Sequence, residues 1–196
     1  DNFSMPIILI LFVGLISYLF FTLISAIGEA GSIYLYKLVI KGFEPEGKYF
    51  FEGVKRYFTK ILGGMLLFHL FFIIFCIPIV MILALYVFTV GIITVGWGII
   101  LLGVITGVYF TLWTIAVVVD DLGPMQGINI GIRIGKKNFW SLFVLVLSSI
   151  MISQYLVSVF GGLIAFIGGW FINGVVTAYF KLVLLLFYMR KRDEVI

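Results

Sequence analysis

Between Ile61 and Val119 the chain has not one Asp, Glu, Lys or Arg. A soluble protein cannot hide so long an apolar run, because a water-facing helix needs a polar stripe. A crossing of the hydrocarbon core takes ~20 apolar residues, so the stretch has room for two crossings and the turn between them. Charge is scarce throughout: 11% of residues are charged, 63% are hydrophobic and the mean hydropathy is +1.26. Average soluble domains carry about 25% charge, so a water-soluble fold is excluded. The single cysteine, Cys76, excludes an internal disulfide framework. The single histidine, His69, has no second His or Cys at ligand spacing, which speaks against a metal site. No catalytic set of His, Cys, Asp or Glu converges within the apolar runs, so neither an enzyme nor a cofactor is expected. The chain opens on Asp1 without a basic n-region, so 1–10 does not read as a signal peptide, and an earlier segment is expected.

The charges that are present are highly ordered. All 13 basic residues fall in three patches, Lys37 to Lys60, Arg133 to Lys137, and Lys181 to Arg192. Spans near 6–36, 61–86, 95–119, 139–160 and 165–189 would place every patch on one face, with no Lys or Arg in the opposite loops around Thr89–Gly98 and Gly161–Gly169. The reading is an all-α integral membrane protein, one helical transmembrane domain over 1–196. It has five spans, six if a preceding one is counted, and a cytoplasmic C-terminus. The net charge of +4 then belongs to the cytoplasmic flanks of the spans and implies no nucleic acid.

Two charged segments have structure of their own. Over 47–60, Phe50, Phe51, Val54, Tyr57 and Phe58 recur at helical spacing opposite Lys48, Lys55, Arg56 and Lys60, which predicts an interfacial amphipathic helix. Over 123–137, Gly123-Pro124 reads as a helix start, with Asp120 and Asp121 placed to favour the helix N-terminus. The alternating isoleucines from Ile128 to Ile134 have strand period, but a lone strand at a membrane surface leaves its edges unpaired, so helix is expected. On that helix Gly127, Gly131 and Gly135 form a bare rib for close backbone approach, beside the basic Arg133, Lys136 and Lys137. Amphipathic segment plus two-span hairpin thus occurs twice, an echo compatible with parallel repeats.

Within the spans, Glu29 and Lys181 stand out. Each lies roughly 12–14 Å inside the cytoplasmic end of its helix at 1.5 Å per residue. Ionisable groups at that depth face the bundle interior and pair. They are candidates for an intramembrane ion pair or a polar cavity; the alternative is a snorkelling Lys181 and an interfacial Glu29, with Gly28 and Gly31 at the helix end. His69 is expected to hydrogen-bond within the bundle. Cys76 beside Pro78 reads as packing and a kink. Gly103 to Gly107 is a small-xxx-small step, and Ser148, Ser149, Ser153, Gln154, Ser158 and Asn173 give the last hairpin a polar seam.

The run Val117-Val118-Val119-Asp120-Asp121-Leu122-Gly123-Pro124-Met125-Gln126-Gly127, continuing to Lys137-Asn138-Phe139-Trp140, resembles the membrane domain of glycerophosphoryl diester phosphodiesterases and related uncharacterised multi-pass membrane proteins. The upstream Phe51-Glu52-Gly53-Val54-Lys55-Arg56-Tyr57-Phe58 is similar too. Gly127 and Gly131 stand where that family usually has Ala and Ser, and the soluble phosphodiesterase domain is lacking. The resemblance implies a six-helix membrane fold with its first helix absent here; it does not imply diesterase activity.

Together these readings give a non-enzymatic membrane domain of the plasma membrane that binds membrane lipids or a protein partner at its cytoplasmic face. The alternative is a transporter, or the membrane subunit of a transport system that uses its cytoplasmic helices for coupling.

Overall fold

The computed structural model describes residues 4–90, 103, 105–160 and 167–194. Every element among them is helical. In order they are α1 (Ser4–Ile40), α2 (Gly47–Val90), α3 (Trp113–Val119), α4 (Pro124–Lys137), α5 (Phe139–Phe160) and α6 (Ile167–Lys191), closed by a 3₁₀ turn at Arg192–Glu194. The outer loops and the first part of the 95–119 segment lie largely outside the described residues.

Local chemistry sets most of the ends. α1 stops in a Schellman turn: Gly42 adopts φ 90°, its N–H donates to Val39 O at 2.9 Å, and that of Phe43 to Leu38 O at 3.1 Å. α2 begins just after Glu44-Pro45-Glu46 and continues for 44 residues, straight through Lys60-Ile61 and Pro78. The segment 47–60 is therefore not a separate interfacial helix, because nothing at Lys60-Ile61 breaks a helix. Its apolar stripe packs on α1, with Phe50 over Gly31 and Gly53 against Ala30 and Tyr34. Tyr57 and Ile61 are buried there, while Phe51 stays exposed. α4 is a helix, with Gly123 as N-cap, Pro124 in its first turn and Gly123 N–H donating to Gln126 Oε1 at 3.3 Å.

The expected role of Asp120 and Asp121 as caps of α4 is overturned. They end α3 and accept cations from α2 and from Arg192 just past α6. Asp121 takes the left-handed position (φ 54°) that glycine usually fills, and Leu122 N–H closes the turn on Val117 O at 3.2 Å. Its carboxylate accepts from Arg56 at 2.6 Å and Lys60 at 2.8 Å, both on α2. Asp120 accepts from Arg192 at 2.8 Å and from the Tyr188 hydroxyl of α6. Lys37 of α1 donates to the last carbonyls of α3, Val118 at 2.8 Å and Val119 at 2.9 Å. Lys137 reaches Glu194 O at 2.9 Å, so members of all three basic patches meet at one end of the molecule.

The core sits at that same end. From Trp113 to Val118 every side chain of α3 is buried, with Ala26, Ile33, Tyr57, Ile61, Ile134, Leu142, Leu185 and Tyr188 around it. The remaining lengths of the long helices expose large apolar side chains, among them Phe12, Phe20, Leu70, Met151 and Tyr179. Two helices among the described residues are long and apolar enough to cross a membrane. Phe12–Ile40 has hydropathy 1.7 and an apolar window only 11% buried; Phe139–Val159 has hydropathy 2.1 and a window only 6% buried.

The corner gives a pH prediction. Lys60, with Arg56 beside it, holds the Asp121 carboxyl down at about 2. Because that lies below its ordinary value of 3.8, the stability it contributes is complete above about pH 4 and is lost as pH falls toward 2. Thermal midpoints measured from pH 5 to pH 2 are expected to fall more steeply for the parent chain than for Asp121→Asn, which keeps a residue tolerant of the left-handed turn. Parallel curves would remove Asp121 from the clamp.

Candidate functional site

The chain brings Glu29 and Lys181, 152 residues apart, into an ion pair of 2.9 Å between α1 and α6. Their side chains are 23% and 19% exposed, so both charges are largely withdrawn from the surface. Lys181 bonds Oε1, and among the described residues no other donor takes the carboxylate. Each group sits on a polar ridge of an otherwise apolar helix. On α1, Thr22, Ser25, Glu29, Ser32 and Tyr36 follow at steps of three and four, which keeps them on one face. On α6, Asn173, Thr177 and Lys181 do the same, and Ser153 of α5 donates to Asn173.

Three cavities border the pair. One, of about 440 Å³, lies between α1, α2 and residues 110–114 and has Glu29 in its wall. A second, of about 550 Å³, has Lys181 with Ser32, Tyr36, Asn173 and Thr177. A third, of about 160 Å³, is lined by both charges together with Thr111, Thr114, Ser149 and Thr177. Helical backbone is interrupted at 111–112, a turn between residues 105–110 and α3. Thr111 and Thr114 flank that break and face two of the cavities. Broken backbone inside an apolar bundle is tolerated where it lines a cavity or is buried in protein.

Among the described residues His69 does not make the expected hydrogen bond. The residue lines the first cavity, its Nδ1 is buried without a partner, and its ring meets Tyr18 edge-on at 5.2 Å and Phe68 at 5.9 Å. Among the described residues no three His, Cys, Asp or Glu side chains gather where they could hold a metal ion. Among the described residues the Gly103–Gly107 step makes no close contact, since a Cβ on either glycine would meet none of them within 4 Å.

The glycine rib is occupied by the chain itself. A Cβ on Gly131 would lie 3.0 Å from Trp113 N and 3.2 Å from Trp113 Cα; one on Gly127 would meet Val117 and Trp113 O, and one on Gly135 the Tyr109 ring at 3.3 Å. The rib is the seat of α3 and of the residues before it, and is closed to any outside partner. The basic residues divide. Lys48 pairs with Glu46 at 2.7 Å, while Arg56, Lys60 and Lys137 hold internal acceptors. Lys55, Arg133 and Lys136 are exposed.

Sequence reading missed the hydroxyl ridge of α1 and the threonines at the 111–112 break. The three-four spacing of Thr22, Ser25, Glu29 and Ser32 was the available signal for the first; the break has no Gly or Pro to mark it.

Fold and site together define an all-helical chain with two helices suited to crossing a membrane and an inter-helix ion pair set among cavities. No protein-family model, curated protein or solved structure matches it.

Two mutation sets test this geometry. Glu29→Gln and Lys181→Gln, singly and together, are expected to be non-additive by ~0.5–3 kcal/mol, since each single change strands one charge; additive losses would mean no coupling. Gly131→Ala drives a Cβ against backbone and is expected to cost about 1–3 kcal/mol. Gly63→Ala, where a Cβ meets nothing within 4 Å, is expected to gain about 0.5–1 kcal/mol in helix propensity. Thermal or denaturant unfolding in detergent reads both sets.

Proposed function

We propose that the chain is a multi-pass integral membrane protein of the plasma membrane whose bundle holds a membrane lipid without transforming it. The observation that carries this reading is the Glu29–Lys181 pair, part-buried among apolar helices and bordered by cavities that exceed what the pair itself needs. Ionisable residues within membrane spans mark binding sites or pathways more often than they mark stability. The bare apolar flanks of α1 and α5 support the membrane setting. Windows only 11% and 6% buried are not core helices of a soluble protein, whose apolar faces are covered. The convergence of the three basic patches supports the topology, because such patches gather on the cytoplasmic side, with the C-terminus among them. The Val117–Gly127 corner, which carries the resemblance to the diester phosphodiesterase membrane domains, supports a shared helix arrangement with them.

Transport is the second reading, favoured by one observation: the pair separates a cavity walled by Glu29 from one walled by Lys181. Coupling to a motor protein through the glycine rib of α4 has lost its basis, since α3 fills that rib.

Native mass spectrometry of the gently solubilised chain, with lipid identification, tests the first reading. One retained lipid per chain, lost on neutralising Glu29 or Lys181, is the expected result. A bare protein, or one with only bulk phospholipid bound irrespective of these residues, would contradict it.

A further inference from the structure

We infer that the 440 Å³ cavity is a site for a protonated amine, the ammonium group of an amphiphile or of a small free amine. The inference rests on the lipid-binding reading and specifies its ligand. Four observations converge on the cavity. Its acid is Glu29, whose carboxylate gives Oε1 to Lys181 and has no second donor among the described residues. Its one imidazole has Nδ1 buried and unpartnered. A buried ring nitrogen without a partner loses roughly the value of a hydrogen bond; a rotation of the His69 ring that turns Nδ1 into the cavity lets a ligand N–H satisfy it and so contribute to binding. Besides the hydroxyls of Thr22, Ser25, Thr111 and Thr114, the wall carries the rings of Tyr18, Phe21, Phe110 and Trp113, and aromatic rings are the uncharged surface that cations prefer. No Lys or Arg lines the cavity; Lys181 reaches Glu29 from the other side and lines the two neighbouring cavities instead.

These features select the charge and the hydrogens of the ligand. A phosphate or carboxylate would meet Glu29 and the negative faces of the rings. A quaternary ammonium satisfies the carboxylate and the rings but has no N–H for His69. An ammonium with N–H donors satisfies all of them. When it binds, Glu29 is shared between two cations, and an anionic group on the same molecule is drawn toward Lys181; a zwitterionic headgroup therefore leaves the site neutral. The mouth suits an amphiphile, since Tyr18 and Phe21 on the rim are exposed and run into the bare apolar face of α1.

The test is native mass spectrometry of the full chain in mixed micelles of equimolar phosphatidylethanolamine, phosphatidylcholine and phosphatidylglycerol. It is paired with thermal shifts in ethanolamine hydrochloride against sodium chloride at equal ionic strength. Phosphatidylethanolamine retained about tenfold over phosphatidylglycerol, with phosphatidylcholine between them, supports a lipid ammonium. A saturable ethanolamine shift without lipid preference supports a free amine. In either case Glu29→Gln/Lys181→Gln, which strands no charge and so separates binding from folding, is expected to abolish the preference. His69→Leu is expected to narrow ethanolamine over choline while sparing choline over glycerol, and Ser25→Leu at the mouth is expected to weaken all binding. Phosphatidylglycerol held as well as phosphatidylethanolamine, with no ethanolamine shift, overturns the ammonium site; if that retention depends on Lys181, lipid binding itself stands. No retained lipid and no shift overturns both.

Discussion

The fold depends on how α3 ends. A helix terminus leaves carbonyls without intrahelical donors, and here Lys37 supplies them from α1. The next two residues are carboxylates, and each is claimed by a different helix: Asp121 by Arg56 and Lys60 of α2, Asp120 by Tyr188 and by Arg192 just past α6. One short corner thus gathers three long helices at one end. Surface ion pairs taken singly contribute little, but several charges sharing one corner act as a network. A left-handed Asp121 is tolerated because the surroundings over-determine it; glycine would relax the backbone and lose the carboxylate that Lys60 and Arg56 require.

From that corner follow both the buried α3 and the polar seam above it. With α3 fixed against the glycines of α4, the break at 111–112 is held next to Glu29, and the hydroxyls of Thr111 and Thr114 turn to the same space as Thr22 and Ser25. The seam is polar where the long helices face one another and apolar where they face outward.

Much of this was legible in the residues. Hydropathy and charge are local, so helices read at 6–36, 139–160 and 165–189 lie close to α1, α5 and α6. The spacing of Glu29 and Lys181 from the basic ends marked them as candidates for a pair, and the facing of the two helices brings them within 2.9 Å. What was not legible was tertiary. Lys60-Ile61 marks where charge stops, and a change of solvent is not a helix end, so α2 runs on. Asp120 and Asp121 precede a Gly-Pro helix start, and local rules assign them to it; only the fold brings Arg192 from 72 residues away. The glycine rib announces close packing without naming its partner, which is the segment just before it.

The proposed topology would put all three basic patches on one face of a membrane, held there by the Asp120–Asp121 corner. Single cysteines at Glu44, Asn129 and Asp193, in a Cys76→Ser background, probed with a membrane-impermeant maleimide in sealed vesicles of known orientation, test it most directly. All three are expected to react from the same side and none from the other. Any one of them labelled from the opposite face, or all labelled equally from both, would contradict it.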